Sequence, residues 1–172
     1  MILRCIPSPE GKDAMFEKLT PRLDRVIKLS QRIARDYGQD YVGTEHLLLA
    51  ILEEGTGIGV DILHDLATDL PRTKKIIDRL VKDTLEDTWV FGRLPGTPHF
   101  RNVMSAAIEE ARQLESKFIC TEHLLLALAK EPGSVAHLAL AEMGIRAPAI
   151  QQGIVKRLDH PPKEAGTPGP AA

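Results

Sequence analysis

The chain has 172 residues, the size of one ordinary domain, with 43% apolar and 27% charged residues. That balance excludes a disordered or membrane-spanning protein and leaves no room for a multidomain machine. With 22 basic against 24 acidic residues the formal charge is −2, so no footprint for a nucleic-acid backbone is visible, and neither nucleic acid nor membrane is expected as a partner.

Aromatic residues are only 4% of the chain, which favours helices packed through Leu, Ile and Ala over an aromatic-rich sheet. Cys5 and Cys120 are the two cysteines. They form no CxxC motif and no disulfide framework, so a reducing compartment is the default. Arg4 and Pro7 break the apolar start before it reaches signal-peptide length, and no later segment approaches a membrane span. The expected location is therefore the cytoplasm.

Residues 1–14 read as a flexible extension, and folded structure is expected to begin near Met15-Phe16. Thr20 is a good N-cap and Pro21 suits the first helical position. Leu23, Val26, Ile27, Ser30, Ile33, Ala34 and Tyr37 then follow at helical spacing up to Gly38. A second helix is predicted from its cap Thr44 to about Glu54, stopped by Gly55-Thr56-Gly57. Its run Leu47-Leu48-Leu49-Ala50-Ile51-Leu52 is apolar on almost every face, so it should be buried at the centre. A third helix is expected over about 58–66, and a fourth from near Asp69, with Pro71 in its first turn and Ile76, Ile77, Leu80 and Val81 facing inward.

The block Thr44-Glu45-His46-Leu47-Leu48-Leu49-Ala50 then returns unchanged as Thr121-Glu122-His123-Leu124-Leu125-Leu126-Ala127, at an offset of 77 residues. The same offset carries Thr20-Pro21 onto Thr97-Pro98, Ala34-Arg35 onto Ala111-Arg112, Tyr41-Val42 onto Phe118-Ile119, Glu54 onto Glu131 and Leu63 onto Leu140. One register fits throughout, which is the mark of a duplicated structural unit. Residues 15–159 thus divide into repeat one (15–82), a polar linker (83–94) and repeat two (95–159), followed by a Pro, Gly and Ala-rich tail (160–172) expected to be disordered. No stretch alternates with period two. The fold class is all-α, two tandem four-helix repeats packed about a pseudo-twofold axis.

Two such units, each with a Thr-Glu-His-Leu-Leu-Leu block entering its second helix, resemble the amino-terminal domain of the Clp unfoldases, especially the ClpC and ClpA type. Met15-Phe16-Glu17-Lys18-Leu19-Thr20 resembles the opening of that domain and Tyr41-Val42-Gly43-Thr44-Glu45-His46-Leu47-Leu48-Leu49 its most characteristic stretch. The resemblance implies a module that receives substrates and adaptor proteins for a Clp AAA+ unfoldase and its ClpP-type protease. These residues contain no GxxxxGK[ST] loop, so ATP binding of the Walker kind is not encoded in them. A stand-alone, non-enzymatic Clp N-domain without catalytic residues, metal or cofactor is expected. The alternatives are an accessory subunit attached to the protease core and, more remotely, a metal-assisted hydrolase.

With Thr44 and Thr121 as N-caps, Glu45 and Glu122 would occupy the first helical position, where a carboxylate gains roughly 0.3–1 kcal/mol from the helix dipole without any ligand. Free N–H groups at such a start can also hold a phosphate while the carboxylate grips a cation. The resemblance implies this second use: Thr44 with Glu45, and Thr121 with Glu122, would bind phosphoarginine on tagged substrates. Cys120 replaces Gly43 in the second copy and is expected to crowd its entrance. His46 and His123 read as buried hydrogen-bonding histidines, because neighbouring helix positions do not face one way and no HExxH spacing adds a ligand. His64, His99, His137 and His160 share no register and are expected at the surface. Gly55-Thr56-Gly57-Ile58-Gly59 reads as an interhelical turn, since it follows a helix and lacks the GxGxxG spacing. Arg22, Arg25, Arg32, Arg35, Lys74, Lys75 and Arg79 alternate with acids as solvated faces. Trp89-Val90-Phe91 in the linker is expected to dock into the seam between repeats.

Overall fold

The computed structural model describes residues 19–83 and 96–159. The extension, the tail and the Trp89-Val90-Phe91 cluster lie outside the described residues. Among the described residues eight helices follow in order: α1 (Pro21–Asp36), α2 (Thr44–Glu54), α3 (Ile58–Asp65), α4 (Leu70–Asp83), α5 (Pro98–Gln113), α6 (Thr121–Lys130), α7 (Val135–Glu142) and α8 (Ala147–Asp159). The all-α double repeat read from the sequence is the observed fold. Among the described residues no single helix is long and apolar enough to cross a membrane.

Local chemistry explains where the helices start and stop. The Thr20 hydroxyl accepts the Leu23 N–H at 3.2 Å and the Thr97 hydroxyl accepts the Phe100 N–H at 3.1 Å. Both are N-caps followed by proline at the first helical position, where its missing N–H costs nothing. A carboxylate oxygen of Asp69 accepts the Arg72 N–H at 2.7 Å and opens α4. Gly55 ends α2 in the left-handed conformation, φ 74°.

The near-continuous apolar sequence of α2 and α6 is answered by burial on all sides. Leu47, Leu48, Leu49, Leu124, Leu125 and Leu126 are at most 1% exposed, each contributing about 1.5–3 kcal/mol of apolar burial. The other helices bury one stripe. On α4, Ile77 is fully buried while Ile76, Leu80 and Val81 are half-buried against the core.

The repeats interlock rather than stack. The third helix of each repeat packs on the second and fourth helices of the other: α3 lies on α6 and α8, and α7 on α2 and α4. The Thr20 N–H donates to the Ile119 carbonyl at 3.1 Å, and the Thr97 N–H to the Val42 carbonyl at 3.1 Å. These two bonds are images of each other under the 77-residue offset. Each lays the start of a first helix across the chain that enters the other repeat's inner helix. Three of the exposed basic residues pair with acids, Arg25 with Glu54, Arg32 with Glu53 and Arg79 with Glu142, contacts worth less than about 1 kcal/mol apiece.

Candidate functional site

The candidate site comprises the openings of α2 and α6, and there the caps sit one residue earlier than the sequence suggests. The N-cap residues are Gly43 and Cys120, with Thr44 and Thr121 inside the first turn. The capping partner is a histidine ring: His46 Nδ1 accepts the Gly43 N–H and His123 Nδ1 accepts the Cys120 N–H, both at 2.9 Å. An imidazole three residues into the helix thus reaches back as Glu or Gln does in a capping box. With Nδ1 accepting, the ring proton resides on Nε2. In His46 that atom has no hydrogen-bond partner among the described residues and lies in a ring cluster, with the Tyr37 and Tyr41 centroids 6.0 and 6.1 Å away. Burial lowers the His46 pKa to about 4, so the ring stays neutral at ordinary pH.

Thr44 does not cap its own helix. Its buried hydroxyl accepts the Ala136 N–H at 3.2 Å, one of the otherwise unpaired first donors of α7 in the other repeat. The register partner of Ala136 is Gly59. A Cβ there would lie 3.1 Å from the Thr121 carbonyl carbon, carbonyl oxygen and hydroxyl, so the same interface closes on Thr121 more tightly.

A carboxylate that grips an external cation has to be reachable from solvent, and here the structure departs from the role read for the two glutamates. Glu45 is 3% exposed and Glu122 is 8% exposed. The cover is the first turn of the other repeat's first helix, placed by the Thr97–Val42 and Thr20–Ile119 bonds. The Glu45 carboxylate lies directly over Gly43, where a Cβ would come within 2.3 Å of Oε2. It borders a narrow cleft of about 60 Å³ between the repeats, lined also by Tyr41, Thr97, His99, Gly133 and Val135. At the second opening the place of Gly43 is taken by Cys120, whose thiol donates to the Phe118 carbonyl oxygen at 3.7 Å and whose Sγ lies within 4.8 Å of a Glu122 carboxylate oxygen. Burial raises the Glu122 pKa, opposed by a hydrogen bond from its own N–H and by the charge of Arg22. Burial and the adjacent Glu122 push the Cys120 thiol up to about 12.

Two residues read from the sequence as plain surface groups prove to belong to these openings. His99 lines the first cleft and its Nδ1 is 2.7 Å from Glu131 Oε1. Arg22 stands in the same register at the second, with Nε 3.9 Å from Glu54 Oε2. The signal was present: the offset that maps Glu54 onto Glu131 also maps Arg22 onto His99. His137 likewise is half-buried, with Nδ1 2.8 Å from the Ala129 carbonyl oxygen. Donor atoms of Cys120, Glu122 and His123 lie within 4.8 Å of one another, but a protonated thiol and an Nδ1 already accepting a backbone N–H are poor metal ligands.

The duplicated openings match a known pattern. The model of the Clp repeat (R) N-terminal domain matches residues 18–131 and, in a second match, 96–172. The chain belongs to this Clp repeat family. It is 35% identical over 153 residues to the chloroplastic chaperone protein ClpC2 of Arabidopsis thaliana, covering 89% of this chain and 15% of that protein. It is also 35% identical over 147 residues to the ClpA homolog, an ATP-dependent Clp protease ATP-binding subunit, of Cyanidium caldarium, covering 86% of this chain and 17% of the relative. The crystal structure of the N-terminal domain of ClpD from Arabidopsis thaliana superposes with a TM-score of 0.68 at 23% identity, over 84% of this chain and 96% of that one. The chain therefore spans less than a fifth of the length of these curated relatives and nearly the whole of the solved Clp N-domain.

Proposed function

We propose that this Clp repeat domain is a non-enzymatic receiving module of a Clp proteolysis system, binding substrates or adaptors and presenting them to a Clp AAA+ unfoldase and its ClpP-type protease. The observation that carries the reading is the cleft between the repeats, with Glu45 at its edge on the first turn of α2 and the Gly43 backbone beneath the carboxylate. A carboxylate beside a helix start suits a ligand with joined positive and negative charge. Phosphoarginine is such a group, its guanidinium meeting Glu45 and its phosphate the opening of α2 at Gly43 and Thr44. Entry requires the Glu45 side chain to swing off Gly43 and the cleft to widen. The second opening, with Thr121 and Glu122, would serve the same chemistry where it is accessible. The module works in a compartment shared with the Clp ring, the cytoplasm on the reading of the sequence.

Fluorescence anisotropy with a labelled phosphoarginine peptide, set against the same peptide bearing arginine or phosphoserine, tests this directly. Saturable binding of the phosphoarginine peptide alone, lost in Glu45→Gln, is the expected result. Attachment to a Clp ring with no capture of any of the three peptides would instead make the chain an accessory subunit of the assembly.

A further inference from the structure

The outer face of α4 belongs to neither opening. Arg72, Lys75, Ile76 and Arg79 fall on one side of this helix at three- and four-residue spacing, and with Glu142 at the end of α7 they line a groove of about 350 Å³. Ile76, half-buried against the core, supplies an apolar floor. Arg79 is paired with Glu142. Arg72 and Lys75 are exposed and have no acidic partner among the described residues. Asp69, the acid nearest to Arg72 in sequence, is spent on the helix start, where it accepts the Arg72 backbone N–H at 2.7 Å.

The duplication shows that the scaffold does not require these bases. The 77-residue offset lays α4 on α8, Pro71 on Pro148 and Ile77 on Ile154. Inward positions agree, for Thr73, Ile77, Ile150 and Ile154 are all at most 1% exposed. The outer positions do not: Arg72, Lys74 and Lys75 answer to Ala149, Gln151 and Gln152. A helix in this place therefore folds without charge at these three positions, whereas on α4 like charges stand at the spacing where they repel.

We propose that this face of α4 is a docking surface for a short acidic segment of a partner protein, which sets carboxylates on Arg72 and Lys75 and an apolar side chain on Ile76. Arg72 offers a planar fork that a carboxylate can take at two points, and Lys75 a compact charge. They stand one turn apart, about 5 Å along the axis, a span that neighbouring carboxylates of one peptide can meet. Glu142 borders the groove and would repel a continuous run of phosphates, and a chain of formal charge −2 lacks the broad positive field that a nucleic acid or an anionic membrane needs. A few carboxylates around an apolar residue fit the surface better than a polyanion does. The groove shares no lining residue with the cleft at Glu45, so its occupation needs no phosphoarginine.

Fluorescence anisotropy with a short labelled peptide of glutamates interrupted by leucines tests the surface, with phosphoarginine absent throughout. Saturable binding that weakens as salt is raised is expected, with affinity falling about tenfold in the double variant Arg72→Gln, Lys75→Gln. The double variant Gln151→Glu, Gln152→Glu makes the same change in net charge on α8 and should bind as the wild type does. A peptide with serines in place of the leucines should bind more weakly through the lost contact with Ile76. All the substituted residues are exposed, and circular dichroism checks that each variant keeps its helices. No saturable binding, equal losses in the two double variants, or equal affinity for the serine peptide would overturn the proposal. Tighter binding of a single-stranded oligonucleotide or of phosphatidylserine vesicles than of the peptide would also overturn it, and would mark a polyanion surface instead.

Discussion

Thr44 and Ala136 are joined across the two repeats: the threonine hydroxyl accepts the alanine N–H at 3.2 Å, so a side chain at the start of α2 caps the start of α7. Both groups are buried. Thr44→Ala removes the acceptor and leaves a buried donor unpaired, at an expected cost of about 1–3 kcal/mol. Thr44→Ser keeps the oxygen and should recover most of it. Urea denaturation of the three proteins checks this. Equal stability of the Ala and Ser variants would show that the inter-repeat bond contributes nothing.

Gly59 occupies the matching place on the other side of the axis. Gly59→Ala would press a methyl group against the Thr121 backbone at 3.1 Å, and a backbone locked into the first turn of α6 has little room to retreat. The strain of overpacking, about 1–3 kcal/mol, exceeds the roughly 1 kcal/mol that alanine gains in helix propensity. A lower Tm is expected, and a raised Tm would mean that the seam relaxes freely.

The histidine caps make stability depend on pH with a definite sign. His46 has a folded pKa of about 4 against 6.5 when unexposed to the fold, and the His123 pKa is also lowered by burial. Their contribution is complete above pH 6.5. As the pH falls below that value the unfolded chain takes up protons that the folded one refuses, so stability declines until the folded pKa is reached, by up to about 3 kcal/mol for His46. Glu122, with a raised pKa, works in the opposite direction as the pH falls. Urea midpoints between pH 7.5 and 5 should therefore drop in the wild type and drop less in His46→Gln, which keeps a reach-back acceptor at the same helix position. Parallel pH profiles would contradict the assignment.

Cys120 supplies a test of the second opening. Its thiol is pushed up to about 12 by burial and by the neighbouring Glu122, so thiolate is scarce at neutral pH. Iodoacetamide at pH 7.5 is expected to label it slowly in the folded protein and rapidly in urea. Fast native labelling would mean that the opening is looser than the structure has it.

Much of this was legible in the sequence, because duplication is a global signal that survives local ambiguity. The repeated Thr-Pro pairs marked the first helices, and the all-apolar faces of α2 and α6 marked the centre. The cap register slipped by one because Thr44 carries the better capping side chain, whereas the structure uses Gly43 with a ring from His46. The spacing Gly43-x-x-His46, matched by Cys120-x-x-His123, held that information but lacks the usual Glu or Gln. Burial of Glu45 and Glu122 was beyond local reading. It arises from the other repeat's first helix, about 50 to 100 residues away in sequence, laid over each opening by one backbone bond.

Where a phosphoarginine ligand touches the chain decides most directly whether the opening of α2 is a binding site. Two-dimensional amide NMR of the labelled domain, titrated with phosphoarginine, is predicted to shift resonances concentrated at Gly43, Thr44, Glu45 and His99, with no response in Glu45→Gln. A silent spectrum, or shifts confined to a remote surface such as α8, would contradict it.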